Sequence, residues 1–285
     1  MARGVNTSPL RDSTLAALVT AALAEDIGTG DMTSEATVDP ERRCLGRVKA
    51  KAPGVLAGIR VAEAVFLAVD SSVDFEPGAV DGSHLGPGDH VAVIGGKARS
   101  LLAAERTALN FLQHLSGIAT ATAEAVRVVQ GTGVRILDTR KTNPGMRELE
   151  KYAVACGGGV NHRHGLYDRF LVKENHIAMA GGLTAAVEAA RRFRPGEPVE
   201  VEVRDEHELE EALAVAPERV LLDNFSPAAA AAAVRRVAGA CEVEVSGGVT
   251  LENLRAYAAA HPDFISLGWL THSAPALDMS MTLLA

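Results

Sequence analysis

The sequence predicts an α/β protein in two parts, a mixed α/β unit followed by an incomplete (β/α) barrel. After Gly131, short apolar runs alternate with helical stretches, and the last four recur at about the spacing of a strand, a helix and two loops. Runs of this kind are typical of parallel strands that are buried on both faces. Polar residues follow each run, as expected where the strands of a barrel end at a common mouth.

Four helices are predicted in the first part of the chain. In the first of them, Leu15, Leu18 and Leu23 are spaced to share one face. Gly117 separates the last two helices and predicts a break between them. The predicted helices cover residues 14–25, 61–69, 103–115 and 119–130.

Short strands are predicted between turns that contain glycine and proline. In the first part of the chain they cover residues 47–50, 54–59 and 90–94. In the second part they cover residues 134–137, 170–172, 199–203, 220–222, 241–245 and 264–267. This is fewer than the usual eight strands, so we expect the barrel to be incomplete.

The composition is that of a globular protein with a sizeable core. Of 285 residues, 47% are hydrophobic and 22% are charged, and no apolar run is long enough to cross a bilayer. The net charge of −8 argues against nucleic-acid binding. Cys44, Cys156 and Cys241 form no close pair, and the N-terminus lacks an uninterrupted apolar stretch. We therefore expect a cytoplasmic protein with reduced thiols and no membrane association.

Basic residues are dense near the predicted strand ends. A single arginine or lysine is most often a solvated surface charge, but several at one mouth form a pocket for a small anion with more than one charge. The planar guanidinium of arginine matches a carboxylate bidentately, whereas lysine acts as a point charge. The residues are Arg106, Arg140, Lys141, Arg163 and Lys173, with His162 beside them.

Two carboxylates, Glu202 and Asp223, end neighbouring predicted strands. They could bind a metal, act as an acid/base pair or hold sugar hydroxyls. Glycines that favour phosphate binding lie nearby, so we favour ribose hydroxyls, shared with Mg²⁺.

Two glycine-containing segments, 246–248 and 268–273, follow the last two apolar runs. Late loops of a barrel commonly bind phosphate through backbone N–H groups, and glycine allows a close approach of the backbone. Ser-Gly-Gly alone is also common in ordinary turns. Together with the cations, the two segments predict a phosphate site.

Seven segments form a recognisable set along the chain: EDIGTGDMTS (25–34), ERTALN (105–110), LSGIAT (115–120), DTRKT (138–142), GGGVNHR (157–163), LDN (222–224) and LTHS (270–273). Together they resemble the signature segments of the quinolinate phosphoribosyltransferase family. They match the family in order and spacing over nearly the whole chain.

The resemblance implies a fold, a reaction and an assembly. The fold would be an N-terminal α/β sandwich (1–117), a seven-element α/β barrel (118–270) and a tail (271–285) that returns to the first domain. The reaction would convert quinolinate and phosphoribosyl pyrophosphate to nicotinate mononucleotide, pyrophosphate and CO₂ in de novo NAD biosynthesis, with Mg²⁺. The assembly would be a homodimer in which the N-terminal domain of one subunit covers the barrel mouth of the other.

The resemblance also assigns roles to individual residues. Arg106 is expected to come from the partner subunit, and Lys141, Lys173 or His162 could assist loss of the 2-carboxylate. The expected catalytic residues are Lys141, Lys173, Glu202 and Asp223. The expected quinolinate ligands are Arg106, Thr139, Arg140, His162, Arg163 and Lys173. The expected phosphoribosyl pyrophosphate ligands are Lys141, Glu202, Asp223, Ser246, Gly247, Gly248, Gly268 and His272.

Three residues depart from the family pattern. Trp269 stands where a small residue is usual, Asn143 where an apolar residue is usual, and Glu174 where aspartate often precedes Asn-His. None removes a charged ligand, although Trp269 borders the predicted phosphate site. Three other interpretations stay open: an accessory protein of molybdenum uptake with the same fold, a Schiff-base enzyme that uses Lys173, and a non-catalytic anion-binding protein.

Overall fold

Two units, each built around its own larger β-sheet, make up residues 11–284, the part of the chain that the computed structural model describes. The first unit contains the residues up to Ala123, Asn143–Gly158 and the residues from Leu270. The second contains Glu124–Thr142 and Gly159–Trp269. The domain boundaries at 117 and 270 stay a prediction. Residues 1–10 of the predicted first domain, and Ala285 of the predicted tail, lie outside the described residues.

The described residues form twelve strands. They are β1 (Arg43–Ala50), β2 (Gly54–Val55), β3 (Asp74–Pro77), β4 (His84–Leu85), β5 (His90–Lys97), β6 (Arg135–Leu137), β7 (Phe170–Val172), β8 (Val199–Val203), β9 (Arg219–Asp223), β10 (Glu242–Ser246), β11 (Phe264–Ser266) and β12 (Met279–Leu284).

The same residues form eleven helices. They are α1 (Asp12–Ile27), α2 (Met32–Thr37), α3 (Ile59–Val69), α4 (Ala98–Val128), α5 (Arg147–Cys156), α6 (Glu174–Ala180), α7 (Leu183–Phe193), α8 (Glu206–Ala214), α9 (Pro227–Val237), α10 (Leu251–Ala258) and α11 (Trp269–His272). Among these helices, none is both long enough and apolar enough to span a membrane.

The sheet of the first unit is antiparallel, with the strand order β12-β1-β5-β3. Its outer strand β12 pairs with β1 from Leu45 opposite Leu284 to Ala50 opposite Met279. The C-terminal residues of the described chain are therefore part of the same sheet as residues 43–50. This sheet and the helices of the unit form the predicted mixed α/β unit.

The sheet of the second unit is parallel, with the strand order β6-β11-β10-β9-β8-β7. Each of the six predicted apolar runs forms one of its strands, and in β8 Val199, Val201 and Val203 are fully buried. Within the described residues β6 and β7 are edge strands, so the predicted incomplete barrel is confirmed. The seven elements that the resemblance implied are six strands here, with one isolated bridge between Leu137 and Val160.

The predicted break at Gly117 is wrong. The helices predicted at 103–115 and 119–130 are one continuous helix, α4. A Cβ atom at residue 117 would lie 2.2 Å from the backbone O of Pro275 and 3.0 Å from the Cα of Ala276. Glycine is therefore required here because the chain at 275–276 passes directly against the helix, and it does not interrupt the helix.

The predicted strand at 54–59 is also too long, because only Gly54 and Val55 are extended in a ladder, as β2. Gly58 has a φ of +98°, a conformation that suits glycine, and α3 begins at the next residue. The sequence pattern did not predict α2, α5, α11, β3, β4 and β12.

Candidate active site

The predicted site residues of the second unit lie at one edge of its sheet. Residues 139–141 follow β6, and Lys173 directly follows β7. Glu202 lies near the end of β8, and Asp223 and Ser246 are the last residues of β9 and β10. Because these strands are parallel, their carboxyl ends share one edge, where ligand sites of α/β proteins are usually found.

A cavity of about 190 Å³ opens at this edge. Nine predicted ligands line it: Thr139, Arg140, Lys141, His162, Arg163, Lys173, Glu202, Asp223 and Ser246. Four residues without a predicted role line it as well: Leu171, Leu221, Glu244 and Ser266.

The other predicted ligands lie elsewhere. Arg106 is an exposed residue of α4 and His272 is the last residue of α11, and both belong to the first unit. Gly247 and Gly248 follow β10, and Gly268 follows β11, in the second unit. The ligand role of every one of these residues stays a prediction.

The cationic side chains of the cavity repel one another. Burial lowers the pKa of the Arg163 guanidinium, and the nearby charge of Arg140 lowers it further. An anion bound between two guanidiniums relieves such repulsion and can accept hydrogen bonds from both. The cavity is therefore suited to an anionic ligand.

The two predicted carboxylates have different partners. The ammonium of Lys173 forms an ion pair with the carboxylate of Glu202, whose side chain is 11% exposed. The carboxylate of Asp223 accepts a hydrogen bond from the side-chain amide of Asn224, with an N–O distance of 2.8 Å. Lys173 and Glu202 therefore balance each other's charge at the cavity wall.

A buried aspartate holds the segment that carries His162 and Arg163. Asp138 is fully buried and accepts a hydrogen bond from the backbone N–H of His162 at 2.8 Å. It also accepts one from the side-chain amide of Asn161 at 2.6 Å. This segment is thereby attached to the residue that follows β6.

The imidazole of His162 contacts two glutamates inside the sheet. Its Nε2 lies 3.2 Å from a carboxylate oxygen of Glu200 and 3.4 Å from one of Glu244. Glu244 also accepts a hydrogen bond from Arg219 at 3.1 Å, and Arg219 bonds Glu242 at 2.7 Å. We call His162, Glu200, Arg219 and Glu244 the buried ionic cluster; each is at most 9% exposed.

The contacts of the two ring nitrogens of His162 indicate which of them carries a proton. Burial lowers the pKa of His162, but hydrogen bonds to Glu200 and Glu244 outweigh burial and raise it. At Nδ1, however, the ring accepts the backbone N–H of Arg163 at 2.7 Å, and a proton on Nδ1 would face that N–H. The raised pKa taken alone would give a ring with protons on both nitrogens, but the N–H of Arg163 occupies the position of a proton on Nδ1. The contact at Nδ1 decides between them, and we place one ring proton on Nε2, towards the carboxylates. Burial and the nearby charge of Glu244 raise the pKa of Glu200. Of the two glutamates, Glu200 is therefore the one that takes up a proton more readily.

Sequence reasoning did not find Glu200 and Glu244. Both lie in strands with alternating glutamate and valine, VEVEV in β8 and EVEVS in β10. In a strand buried on both faces, every side chain is inside, so a central glutamate must have a buried partner. The alternation of glutamate and valine within a buried strand was therefore the sequence feature that could have identified both residues.

The glycines after β10 leave backbone N–H groups available to an anion. Gly247 and Gly248 have φ angles of +89° and +63°, and a Cβ on Gly247 would lie 2.3 Å from the side-chain oxygen of Asn224. Among residues 11–284, the N–H groups of Gly247, Gly248 and Val249 have no hydrogen-bond partner. Successive N–H groups of this kind form an anion-binding concavity.

Profiles of two domains of one family match the sequence. The profile of the quinolinate phosphoribosyl transferase N-terminal domain matches residues 31–116, and that of the C-terminal domain matches residues 118–282. The chain belongs to this family. The resemblance that the sequence motifs predicted is thereby confirmed.

Individual relatives are similar to nearly the whole chain. A probable nicotinate-nucleotide pyrophosphorylase (carboxylating) of Bacillus subtilis is 43% identical over 259 residues, which cover 90% of this chain and 89% of the relative. The enzyme of that name from Mycobacterium leprae is 43% identical over 271 residues, covering 92% and 94%. The solved structure of the nicotinate-nucleotide pyrophosphorylase from Francisella tularensis has a TM-score of 0.94 at 38% identity, with both chains fully covered.

Two of the departures from the family pattern have local partners. Asn143 donates to the buried carboxylate of Glu150 from its backbone N–H at 3.1 Å and from its side-chain amide at 2.6 Å. Glu174 forms an ion pair with Arg204. A polar residue at 143 is therefore explained by the carboxylate that it satisfies.

Replacement of Glu244 tests the buried ionic cluster. Glu244→Ala should lower the free energy of unfolding by about 3–5 kcal/mol, because it leaves the buried guanidinium of Arg219 without the buried carboxylate that neutralises it. Glu242→Ala is the matched control: Glu242 binds the same arginine, but its side chain is 46% exposed, so its loss should cost less than about 1 kcal/mol. Urea unfolding measures both. Equal losses for the two variants would contradict the cluster's role.

Proposed function

We propose that this chain transfers the phosphoribosyl group of phosphoribosyl pyrophosphate to quinolinate and forms nicotinate mononucleotide, pyrophosphate and CO₂, a step of de novo NAD biosynthesis. The observation that carries the proposal is one cavity lined by four cations, Arg140, Lys141, Arg163 and Lys173, at the carboxyl ends of parallel strands. Relatives that share 43% of their residues with the chain are named for this reaction, which supports the proposal.

The cations of the cavity are suited to a dicarboxylate. We assign the two carboxylates of quinolinate to Arg140, Arg163 and Lys173, with the hydroxyl of Thr139 beside them. His162 lines the same cavity, but in the present arrangement both its ring nitrogens have contacts within the protein. We therefore assign His162 to the support of Arg163 and not to direct binding.

The remaining predicted ligands of the cavity are suited to a phosphorylated ribose. Glu202 and Asp223 are placed to accept hydrogen bonds from ribose hydroxyls, and Lys141 to bind phosphate. The free N–H groups at 247–249 add contacts for phosphate oxygens. Two carboxylates beside a diphosphate are the hard oxygen ligands that Mg²⁺ prefers, so Glu202 and Asp223 fit this ion, which would neutralise charge on the pyrophosphate.

The reaction needs charge placed in advance more than it needs a covalent intermediate. The bond from the anomeric carbon to pyrophosphate breaks while the pyridine nitrogen of quinolinate bonds to that carbon, which becomes positively charged during the exchange. Cations that hold both reactants stabilise the departing anion and orient the nitrogen. The ring then carries a positive charge, so the 2-carboxylate leaves as CO₂, and the electron pair that remains on the ring carbon takes up a proton.

Product formation and substrate choice test the proposed function. Mass spectrometry should detect nicotinate mononucleotide when the protein is mixed with Mg²⁺, quinolinate and phosphoribosyl pyrophosphate. Nicotinate should be used with a kcat/KM lower by about 100-fold, because a monocarboxylate leaves a cation of the cavity unpaired.

Three other outcomes would identify a different function. Comparable kcat/KM values for the two acids would favour a nicotinate salvage reaction. Absence of any product would leave the anion-binding or molybdenum-uptake interpretations. Trapping of a carbonyl substrate on Lys173 by borohydride would favour Schiff-base chemistry.

We also propose a cytoplasmic homodimer whose active sites are shared between subunits. Arg106 belongs to the first unit, whereas the cavity is lined entirely by residues of the second. The family resemblance favours an Arg106 that reaches the quinolinate site of the partner subunit.

Mixing of inactive variants tests the shared site. Arg106→Ala and Lys173→Ala should each lose activity, because each leaves a quinolinate carboxylate without a charged partner. If Arg106 acts across the interface, subunit exchange places both lesions in one site of the heterodimer and leaves the other site intact. Activity should recover to about a quarter of the wild-type value after random reassortment.

A matched mixture controls for this result. Arg163→Ala mixed with Lys173→Ala should stay inactive, because both residues line the cavity of one subunit and every site carries a lesion. An Arg106→Ala and Lys173→Ala mixture that stays inactive, although native mass spectrometry detects heterodimers, would show that Arg106 serves its own subunit.

A further inference from the structure

Trp269 connects the two segments that we assign to phosphate. It is the only tryptophan of the chain, and it directly follows Gly268 at the start of α11. Its indole Nε1–H donates a hydrogen bond to the backbone O of Val249 at 3.0 Å. Val249 directly follows the Ser246–Gly248 segment, so one side chain joins that segment to Gly268.

Two asparagines hold the same segment at other carbonyl groups. The backbone O of Gly248 accepts the side-chain amide of Asn253 at 3.0 Å, and the backbone O of Ser246 accepts the backbone N–H of Asn224 at 2.8 Å. In a trans peptide the C=O and the following N–H point in opposite directions. Fixing the carbonyls of residues 246 and 248 therefore turns the N–H groups of residues 247 and 249 away from these partners, where a ligand can reach them.

The bond from Trp269 fixes the next carbonyl in the series. With Val249 held at its O, the following N–H, that of Thr250, points the opposite way and donates to the side chain of Asn253 at 2.8 Å. The three carbonyls at 246, 248 and 249 are thus bound in turn by Asn224, Asn253 and Trp269. Of these three donors, only the indole belongs to the 268–273 segment.

We propose that Trp269 is a positioning residue for phosphoribosyl pyrophosphate, and that it acts by tethering the C-terminal end of the segment with the free N–H groups, at Val249, to the chain next to Gly268. The inference rests on the proposed function, because it takes the two segments to bind the phosphates. Anion binding by backbone N–H groups depends on their mutual placement, so loss of the indole bond should weaken binding of the diphosphate. It should leave the binding of quinolinate by Arg140, Arg163 and Lys173 unchanged.

The single tryptophan allows a substitution that removes the N–H group alone. Growth of a tryptophan auxotroph on benzothienylalanine, in which sulfur replaces the indole N–H, alters this protein at residue 269 only. The ring keeps its size and its packing. The KM for phosphoribosyl pyrophosphate should rise about fivefold, the effect of one hydrogen bond, while the KM for quinolinate changes by less than about twofold.

A second pair of measurements keeps the test independent of turnover. Isothermal titration with Mg²⁺ and pyrophosphate should show the same weakening of about fivefold in the substituted protein and in Trp269→Phe. Unchanged KM and pyrophosphate affinity in both proteins would overturn the inference. An equal rise in both KM values, with a lower melting temperature, would also overturn it and indicate a general packing role. If the unmodified protein forms no product, the proposed function fails, and pyrophosphate binding alone then decides the inference.

Discussion

Burial of charge inside the parallel sheet is the constraint on which the site depends. Glu200 and Glu244 lie in the interior of β8 and β10 and are 1% and 0% exposed. Carboxylates at such positions are stable only when they are paired and hydrogen-bonded. Here the guanidinium of Arg219 supplies the opposite charge, and Nε2–H of His162 supplies a hydrogen bond. Because these carboxylates would be unstable without their partners, the imidazole of His162 is held against them, where it also lines the cavity. Nδ1 of His162 in turn accepts the backbone N–H of Arg163, so the buried cluster also helps to position a cation that lines the cavity.

The cavity beside this cluster is lined by four cationic side chains. Lys173 forms an ion pair with Glu202, and burial together with the charge of Arg140 lowers the pKa of the Arg163 guanidinium. The carboxylates of quinolinate and the phosphates of phosphoribosyl pyrophosphate are anions that such cations bind, and pyrophosphate leaves as an anion that the same cations stabilise. Electrostatic preorganisation of this kind needs rigid supports, which the strand ends and the anchored glycine segment provide.

The sequence predicted the elements whose signals are local. The six apolar runs predicted six parallel strands, because strands that are buried on both faces are apolar throughout. Motif residues such as Arg140 and Asp223 lie at one cavity because parallel strands end at one edge. Non-local packing was not predictable in this way: nothing within α4 indicates that the chain near Pro275 passes against Gly117, and the pairing of β12 with β1 depends on residues far apart in the sequence. The buried partner of Glu244 could not be predicted for the same reason.

Measurement of the protonation state of the His162 ring tests most directly whether this ring links the buried glutamates to Arg163. With ¹⁵N-labelled histidine, the two ring nitrogens can be distinguished by their chemical shifts, and comparison with His162→Gln identifies the signal among the nine histidines. A ring that donates to the glutamates and accepts from Arg163 must carry its proton on Nε2, with Nδ1 unprotonated at neutral pH. A proton on Nδ1 at neutral pH would contradict it, because the ring could not then accept the N–H of Arg163.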